Sequence, residues 1–266
     1  MKDRFGQRTA GKKLDGLSAV IDQRIAPVTM ANEQLLPVPE PLAPLFPAGG
    51  LQQGWSVGFS GHGGWSLAMA LLGAGLGADG WSACVGLEEF GLVAADELGL
   101  RLDRVLMVET PGPDQLATVI AALIEVVDVV CLGSTRSIGL RDARRLMARA
   151  REQNALLFHL DGGRSWPHPL DVALTVEPAS KSRSEPGSWA GIGAGHGRLQ
   201  ARALSVTAVG RRSMAKPRRV DVLLPGPGGG VEVGSDVGNE PEPKVAPEVA
   251  PGEKPKEGVG EWPAFV

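Results

Sequence analysis

The sequence predicts an α/β fold: a mostly parallel sheet with helices on both faces and antiparallel edge strands at its end. Short runs such as 126–132 and 155–160 are almost wholly apolar, which is typical of strands buried on both faces. Segments with apolar residues at helical spacing lie between such runs, so strands and helices alternate along the chain. Near the end, 172–176 and 220–224 alternate apolar and polar residues, which favours antiparallel strands at the sheet edge.

The elements of the core follow one another in a regular order. The predicted strands are 55–59, 81–87, 105–108, 126–132 and 155–160, and the predicted helices are 66–76, 93–98, 114–124 and 140–150. The last helix has an apolar stripe on one side and, on the other, a row of arginines: Arg141, Arg144, Arg145, Arg149 and Arg151. The segment 203–209 adds a further strand among those at the end of the sheet.

Changes in composition divide the chain into four segments. Residues 1–26 are polar and net basic with apolar residues at helical spacing, which predicts a basic N-terminal helix. Six prolines fall in 27–47 and predict an extended linker. The folded core is expected at 48–226. Residues 227–266 are rich in proline, glutamate, lysine and valine without periodicity, which predicts a disordered acidic tail.

The charge and cysteine content exclude several classes of protein. A net charge of −3 excludes a globally basic nucleic-acid binder, although 198–219 holds seven basic residues and no acid. Two cysteines, Cys84 and Cys131, make neither a disulfide framework nor a metal site, and we expect reduced, buried thiols. The chain start lacks the apolar region of a signal peptide, and no apolar run is long enough to span a membrane. These features predict a cytoplasmic protein.

A glycine-rich turn follows the first core strand and precedes a helix. Its context is that of the phosphate-binding loop G-x-x-x-x-G-K-[ST], whose lysine and hydroxyl hold the phosphates and magnesium. Gly58 and Gly63 stand at the two glycine positions, but Gly64 replaces the lysine and Trp65 the hydroxyl residue. Moving the pattern by one position supplies Ser66 as the hydroxyl and places Trp65 at the lysine position. No alignment supplies the cation.

The second part of a nucleotide site is also missing. The strand 126–132 should end in an aspartate that holds magnesium, and Gly133 and Ser134 follow instead. Glu88 or Glu89 stands where a catalytic carboxylate belongs, and a solvated acid at a strand end is the simpler interpretation. The histidines also lack metal-ligand spacing: His62, His159 and His168. We expect no catalytic residue, metal or cofactor, while nucleotide binding by loop amides or a weak NTPase activity remains the alternative.

In their order these features resemble the cores of RecA-type recombinases. Residues 96–100 lead into 103–106, and 128–132 falls where the magnesium-site strand lies. The chain more closely resembles the ImuA-type accessory proteins of the bacterial mutasome, in their actinobacterial form. The motifs that carry this resemblance lie at 45–51, 195–199, 210–212 and 223–226.

The resemblance implies a DNA-damage-induced (SOS) protein of mutagenic translesion synthesis. Members of the family act with a catalytically inactive Y-family polymerase homologue, the ImuB type, and an error-prone C-family polymerase. Recombinase activity is not implied, because this chain has Gly64, Trp65 and Gly133 where recombinases keep their nucleotide-site residues. The expected role is a non-catalytic scaffold that associates with the nucleoid after damage. A regulator of recombinase filaments is the other alternative.

Two segments are candidates for contacts with partners. Four arginines flank a predicted edge strand and can contact single-stranded DNA or an acidic protein surface: Arg211, Arg212, Arg218 and Arg219. A solvated strand edge is an equally good interpretation of these residues. In the tail, Trp262 and Phe265 predict an aromatic anchor that docks into a partner's groove.

Overall fold

The computed structural model describes residues 35–88, 90–179, 187–190 and 198–234. The predicted N-terminal helix, the glycine-rich run 191–197 and the tail anchor of Trp262 and Phe265 lie outside the described residues.

The described residues form twelve strands and four α-helices. The strands are β1 Leu35–Pro37, β2 Gly50–Gln52, β3 Ser56–Gly61, β4 Ser82–Val85, β5 Val105–Val108, β6 Val129–Leu132, β7 Leu156–His159, β8 Val172–Pro178, β9 Gly187–Ala190, β10 Arg198–Gly210, β11 Arg218–Leu223 and β12 Glu232–Val233. The helices are α1 Gly64–Leu76, α2 Leu92–Glu97, α3 Leu116–Ile124 and α4 Leu140–Glu152, and short 3₁₀ helices lie at Glu40–Leu45, Leu102–Arg104 and Arg212–Met214.

The main sheet has the strand order β12-β11-β10-β8-β3-β7-β6-β4-β5, with β9 paired to β10. All pairs from β8 to β5 are parallel, whereas β10 is antiparallel to both β8 and β11. This arrangement confirms the predicted fold class, an α/β core whose mostly parallel sheet has antiparallel strands at one end.

One predicted strand orientation is wrong. The segment beginning at Val172 was expected to be an antiparallel edge strand, but β8 pairs in parallel with β3 and lies inside the sheet. The alternation of apolar and polar residues along β8 has another cause. Val172 and Leu174 are buried on one face, while Thr175 and Glu177 are exposed on the other. A parallel strand covered on one face only therefore shows the same pattern as an antiparallel edge strand.

Two hydrophobic layers enclose the parallel part of the sheet. On one face, α1 and α2 pack against side chains such as Val57, Phe59 and Phe158. On the other face, α3 and α4 pack against Val130 and Leu157. The helices therefore cover both faces, as predicted, because successive side chains of each strand point to opposite sides.

The core is longer than predicted at both ends. The predicted linker begins to pack at β1, which pairs with β2, and the 3₁₀ helix Glu40–Leu45 buries Leu42 and Leu45. Prolines exclude an α-helix here but not a 3₁₀ turn, and the apolar residues between them supply the buried surface. At the other end, β12 pairs with β11 beyond residue 226.

Cys84 and Cys131 lie opposite each other on the neighbouring strands β4 and β6, and both are fully buried free thiols. A hydrogen bond with Cys84, together with burial, raises the pKa of the Cys131 thiol, which disfavours the reactive thiolate. Both cysteines are therefore core side chains. None of the helices in the described ranges combines the length and apolar character that a membrane crossing requires.

Candidate functional site

The glycine-rich turn joins β3 to α1 at the centre of the sheet. Gly61 ends β3 with φ 84°, and Gly63 caps α1 with φ 112°, a backbone region that glycine adopts readily. A Cβ atom built on Gly61 would overlap the carbonyl oxygen of Val176 on β8. The predicted strand–loop–helix is therefore present, and its close contact with β8 requires glycine.

A cleft of about 330 Å³ opens beside this turn at the carboxyl ends of the parallel strands. Open α/β sheets commonly bind ligands in this position. Its lining residues are Trp65, Gly86, Leu87, Glu88, Gly133, Ser134, Leu160 and Asp161. None of these residues is a lysine or an arginine. The half-buried Trp65 packs onto the hydrophobic core, so an indole replaces the cation of a phosphate-binding loop.

Gly133, directly after β6, has no room for a side chain. A Cβ atom built there would overlap the carbonyl oxygen of Gly86 and lie 3.2 Å from Cδ2 of Leu87. The Gly133 amide also donates a hydrogen bond to the carbonyl oxygen of Val85 at 3.1 Å, which holds the ends of β4 and β6 together. The magnesium-binding aspartate is therefore absent and also sterically excluded.

Asp161 is a cleft carboxylate that the sequence arguments missed. Its Oδ1 accepts a hydrogen bond from the Gly163 amide at 2.8 Å, and its Oδ2 accepts hydrogen bonds from the amide and hydroxyl of Ser165. The Ser165 hydroxyl oxygen also accepts from the Thr135 amide at 2.7 Å. Asp161 thus holds the turn after β7. Within the described ranges, no group of three or more His, Cys, Asp or Glu side chains could hold a metal ion.

Arg202 on β10 brings a cation to the turn from a distant part of the sequence. Its Nη2 donates a hydrogen bond to Oγ of Ser66 at 3.2 Å, and its Nε donates to the carbonyl oxygen of Leu224 at 3.3 Å. Burial lowers the pKa of the guanidinium, which nevertheless stays protonated at neutral pH. A Cβ on Gly63 would lie 3.0 Å from Nη2. The guanidinium therefore fastens β10 to the first turn of α1.

The four arginines predicted to contact partners meet at the hairpin between β10 and β11. Arg211 and Arg212 are exposed. Arg219 is exposed and lies 3.8 Å from Asp221. Arg218 is only half-exposed, and its Nη1 donates a hydrogen bond to the carbonyl oxygen of Pro44 at 3.3 Å. Its Nε is buried and has no hydrogen-bond partner in the described ranges. Arg218 therefore holds the N-terminal 3₁₀ helix against β11, whereas the other three face solvent.

Comparisons with known proteins found similarity to a family model, to a curated protein and to a solved structure. Residues 44–168 match the family described as MT3502 N-terminal domain, a range that ends before β8. The uncharacterized protein Rv3395c of Mycobacterium tuberculosis (strain ATCC 25618 / H37Rv) is 37% identical over 98 residues, which are 36% of this chain and 48% of that protein. The chain thus spans about half the length of this relative.

Among solved structures, the chain is similar to the RadB recombinase, with 17% identity and a TM-score of 0.46. The similarity covers 70% of this chain and 93% of that one.

Proposed function

We propose that this protein is a non-catalytic RecA-like accessory protein that acts by binding partners. The observation that carries this proposal is the steric exclusion at Gly133, where no magnesium-binding side chain fits. Phosphoryl transfer depends on positioned charge around the phosphates, and the cleft offers Trp65 in place of a cation. The guanidinium of Arg202, which reaches the first turn of α1, is held by hydrogen bonds to Ser66 and Leu224.

The process we propose is mutagenic translesion DNA synthesis after DNA damage. The partner would be an ImuB-type inactive homologue of Y-family polymerases, which in turn brings an error-prone C-family polymerase. The motifs at 45–51, 210–212 and 223–226 support this proposal through their resemblance to ImuA-type proteins. The RecA-like fold is compatible with it. Cytoplasmic localisation, with nucleoid association after damage, belongs to the same proposal.

The first test measures phosphate release from ATP, with and without single-stranded DNA, against an active RecA-type recombinase as positive control. We expect no turnover, because both the cation and the metal ligand are missing. A rate above about 0.01 per second that disappears in Glu88→Ala would support a weak NTPase instead. The double variant Gly64→Lys/Trp65→Thr should remain inactive, since it restores the loop and leaves Gly133 unchanged.

The second test locates the partner interface. A chain ending at Gly234 keeps β12 and removes the tail, so we expect its thermal midpoint to match that of the full chain. Capture of the ImuB-type homologue should fall with this truncation and with Trp262→Ala/Phe265→Ala, because aromatic anchors dominate small interfaces. The matched control is Val245→Ala/Val249→Ala in the same tail.

Undiminished capture by the truncated chain would contradict the tail anchor and move the interface to the folded core. Capture of a recombinase in place of the polymerase homologue would favour the filament-regulator alternative.

A further inference from the structure

Within the described part of the chain, helices cover strands β8, β10 and β11 on one face only. Towards α1, their buried side chains include Leu174 and Val206. On the opposite face, α4 and the segment 161–171 cover β6, β7 and β3. Several alternate side chains of the last three strands on this side are exposed, such as Thr175, Val209 and Arg219, whereas Ser205 and Leu223 are buried. A stretch of sheet thus faces solvent beside α4.

The register aligns hydroxyl groups across this uncovered stretch. Ser60 on β3 lies opposite Thr175 on β8, Thr175 opposite Thr207 on β10, and Thr207 opposite Arg219 on β11. The hydroxyl oxygens of Ser60 and Thr175 are 3.2 Å apart. With neighbouring strands about 4.8 Å apart, this row of three hydroxyls and a guanidinium is roughly 14 Å long.

Arginines border the row on both sides. On α4, Arg151 lies 3.5 Å from Asp171, immediately before β8, and Arg144 shares this side of the helix. Arg149 instead pairs with Glu125 of α3 on the far side. We define the basic face as this row together with the exposed or half-exposed cations around it, which are Arg141, Arg144, Arg151, Arg211, Arg212, Lys216 and Arg219.

Acidic side chains on this face are few and mostly engaged. Asp171 accepts hydrogen bonds from the amide and hydroxyl of Ser56 as well as pairing with Arg151. Asp221 accepts a hydrogen bond from the Ser205 hydroxyl at 2.6 Å, and Glu177 is exposed. Seven cations against three acids give the face a charge of +4, although the whole chain carries −3.

We propose that the basic face binds the phosphate backbone of nucleic acid. Arginine and serine or threonine hydroxyls are the groups that commonly contact phosphate oxygens. A protein interface needs buried apolar or aromatic anchors, and Val209 is the one large apolar side chain exposed among these strand positions. The proposal adds a ligand to the binding role proposed above and does not depend on the polymerase partner.

The composition of the face also predicts how it binds. None of the residues that form it is aromatic, so bases have no platform on which to stack. Binding should therefore lack sequence preference and fall steeply with salt. Duplex DNA, with its higher charge density, should bind at least as tightly as a single strand of equal length.

The test is fluorescence anisotropy of the full chain with labelled single-stranded and duplex DNA at rising salt. Two double variants probe the two borders, Arg141→Ala/Arg144→Ala on α4 and Arg211→Ala/Lys216→Ala on the hairpin. None of these four side chains makes an ion pair within the described residues. The matched control is Arg101→Ala/Arg104→Ala, which removes the same charge at the opposite end of the sheet, next to β5.

Each basic-face variant should weaken binding about tenfold and reduce the slope of log K against log salt by about 1–2, with an unchanged thermal midpoint. The control should change affinity less than twofold, a limit set by the roughly 10 Å screening length. An equal loss in the control, no binding at low salt, or a preference for single strands above tenfold would overturn the proposal. Equally tight binding of polyglutamate would replace nucleic acid by an acidic protein.

Discussion

Lowering the pH from 7.5 to 4.5 is expected to reduce the stability of the folded chain by about 2–3 kcal/mol through His159 alone. The imidazole is fully buried at the end of β7, and its ring centroid lies 4.7 Å from that of Trp166. Its two nitrogens have no hydrogen-bond partner among the residues that the structure describes. Burial lowers the pKa of His159 to about 4, against an upward effect of the Asp161 charge. The unfolded chain therefore takes up the proton first, near pH 6.5.

The direction in which stability changes with pH follows from this order of protonation. Above pH 6.5 the histidine is neutral in both the folded and the unfolded state, so its protonation does not change the unfolding free energy. Between about 6.5 and 4 only the unfolded state is protonated, so stability falls as the pH falls, and below 4 the full loss is present.

The measurement is urea unfolding at pH 7.5, 5.5 and 4.5 for the natural chain and His159→Phe. The phenylalanine fills the same space without a titrating group. The unfolding free energy of His159→Phe, relative to that of the natural chain, should therefore rise by about 2–3 kcal/mol between pH 7.5 and 4.5. His159→Leu should show the same pH trend, even if its cavity lowers stability at every pH. Imidazole proton resonances of His159 that titrate near pH 6.5 in the folded chain would contradict this account.

The substitution that should restore a magnesium ligand is expected to destabilise the fold. Gly133→Asp should cost about 3–4 kcal/mol of unfolding free energy, because its Cβ overlaps the Gly86 carbonyl oxygen and forces β4 and β6 apart. Gly133→Ala should lose most of the same unfolding free energy, because it adds the Cβ atom without a carboxylate. The comparison separates the steric effect of the side chain from the effect of its charge. Thermal and urea unfolding with circular dichroism measure both.

The matched control is Ser134→Asp, which places the same carboxylate one residue further along the cleft on an exposed position. It should change stability by less than about 0.5 kcal/mol. Equal stability of Gly133→Asp and Ser134→Asp would mean that the strand ends separate readily, and the case against a metal site would then rest on the sequence alone.

The two experiments test two residues at the same end of the sheet, the buried His159 and the closely packed Gly133. His159 and Gly133 lie at the carboxyl ends of the neighbouring strands β7 and β6, where open α/β sheets commonly bind ligands. Here one position holds an unpartnered buried ring and the other a close backbone contact. Both positions therefore pack closely against their neighbours.

The amino-acid sequence by itself determined the alternation of strands and helices and the residues that stand at the positions of a phosphate-binding loop. Buried parallel strands require apolar runs, and the helices between them require apolar residues at helical spacing, so both patterns can be read locally. The missing lysine at Gly64 and the missing aspartate at Gly133 are likewise differences at single positions.

Other features depended on contacts between distant residues and needed the tertiary structure. The parallel pairing of β8, the packing of 35–47 and the position of Arg202 beside Ser66 each join segments that the local pattern treats separately. The sequence named the α4 arginines and the arginines at 211–219 as separate groups, and their position on the same side of the sheet depends on the strand order. Local patterns report which side of a strand is buried, whereas strand order decides which surfaces meet. Among the described elements, this order leaves one face of β8, β10 and β11 without a covering helix, beside the arginines of α4.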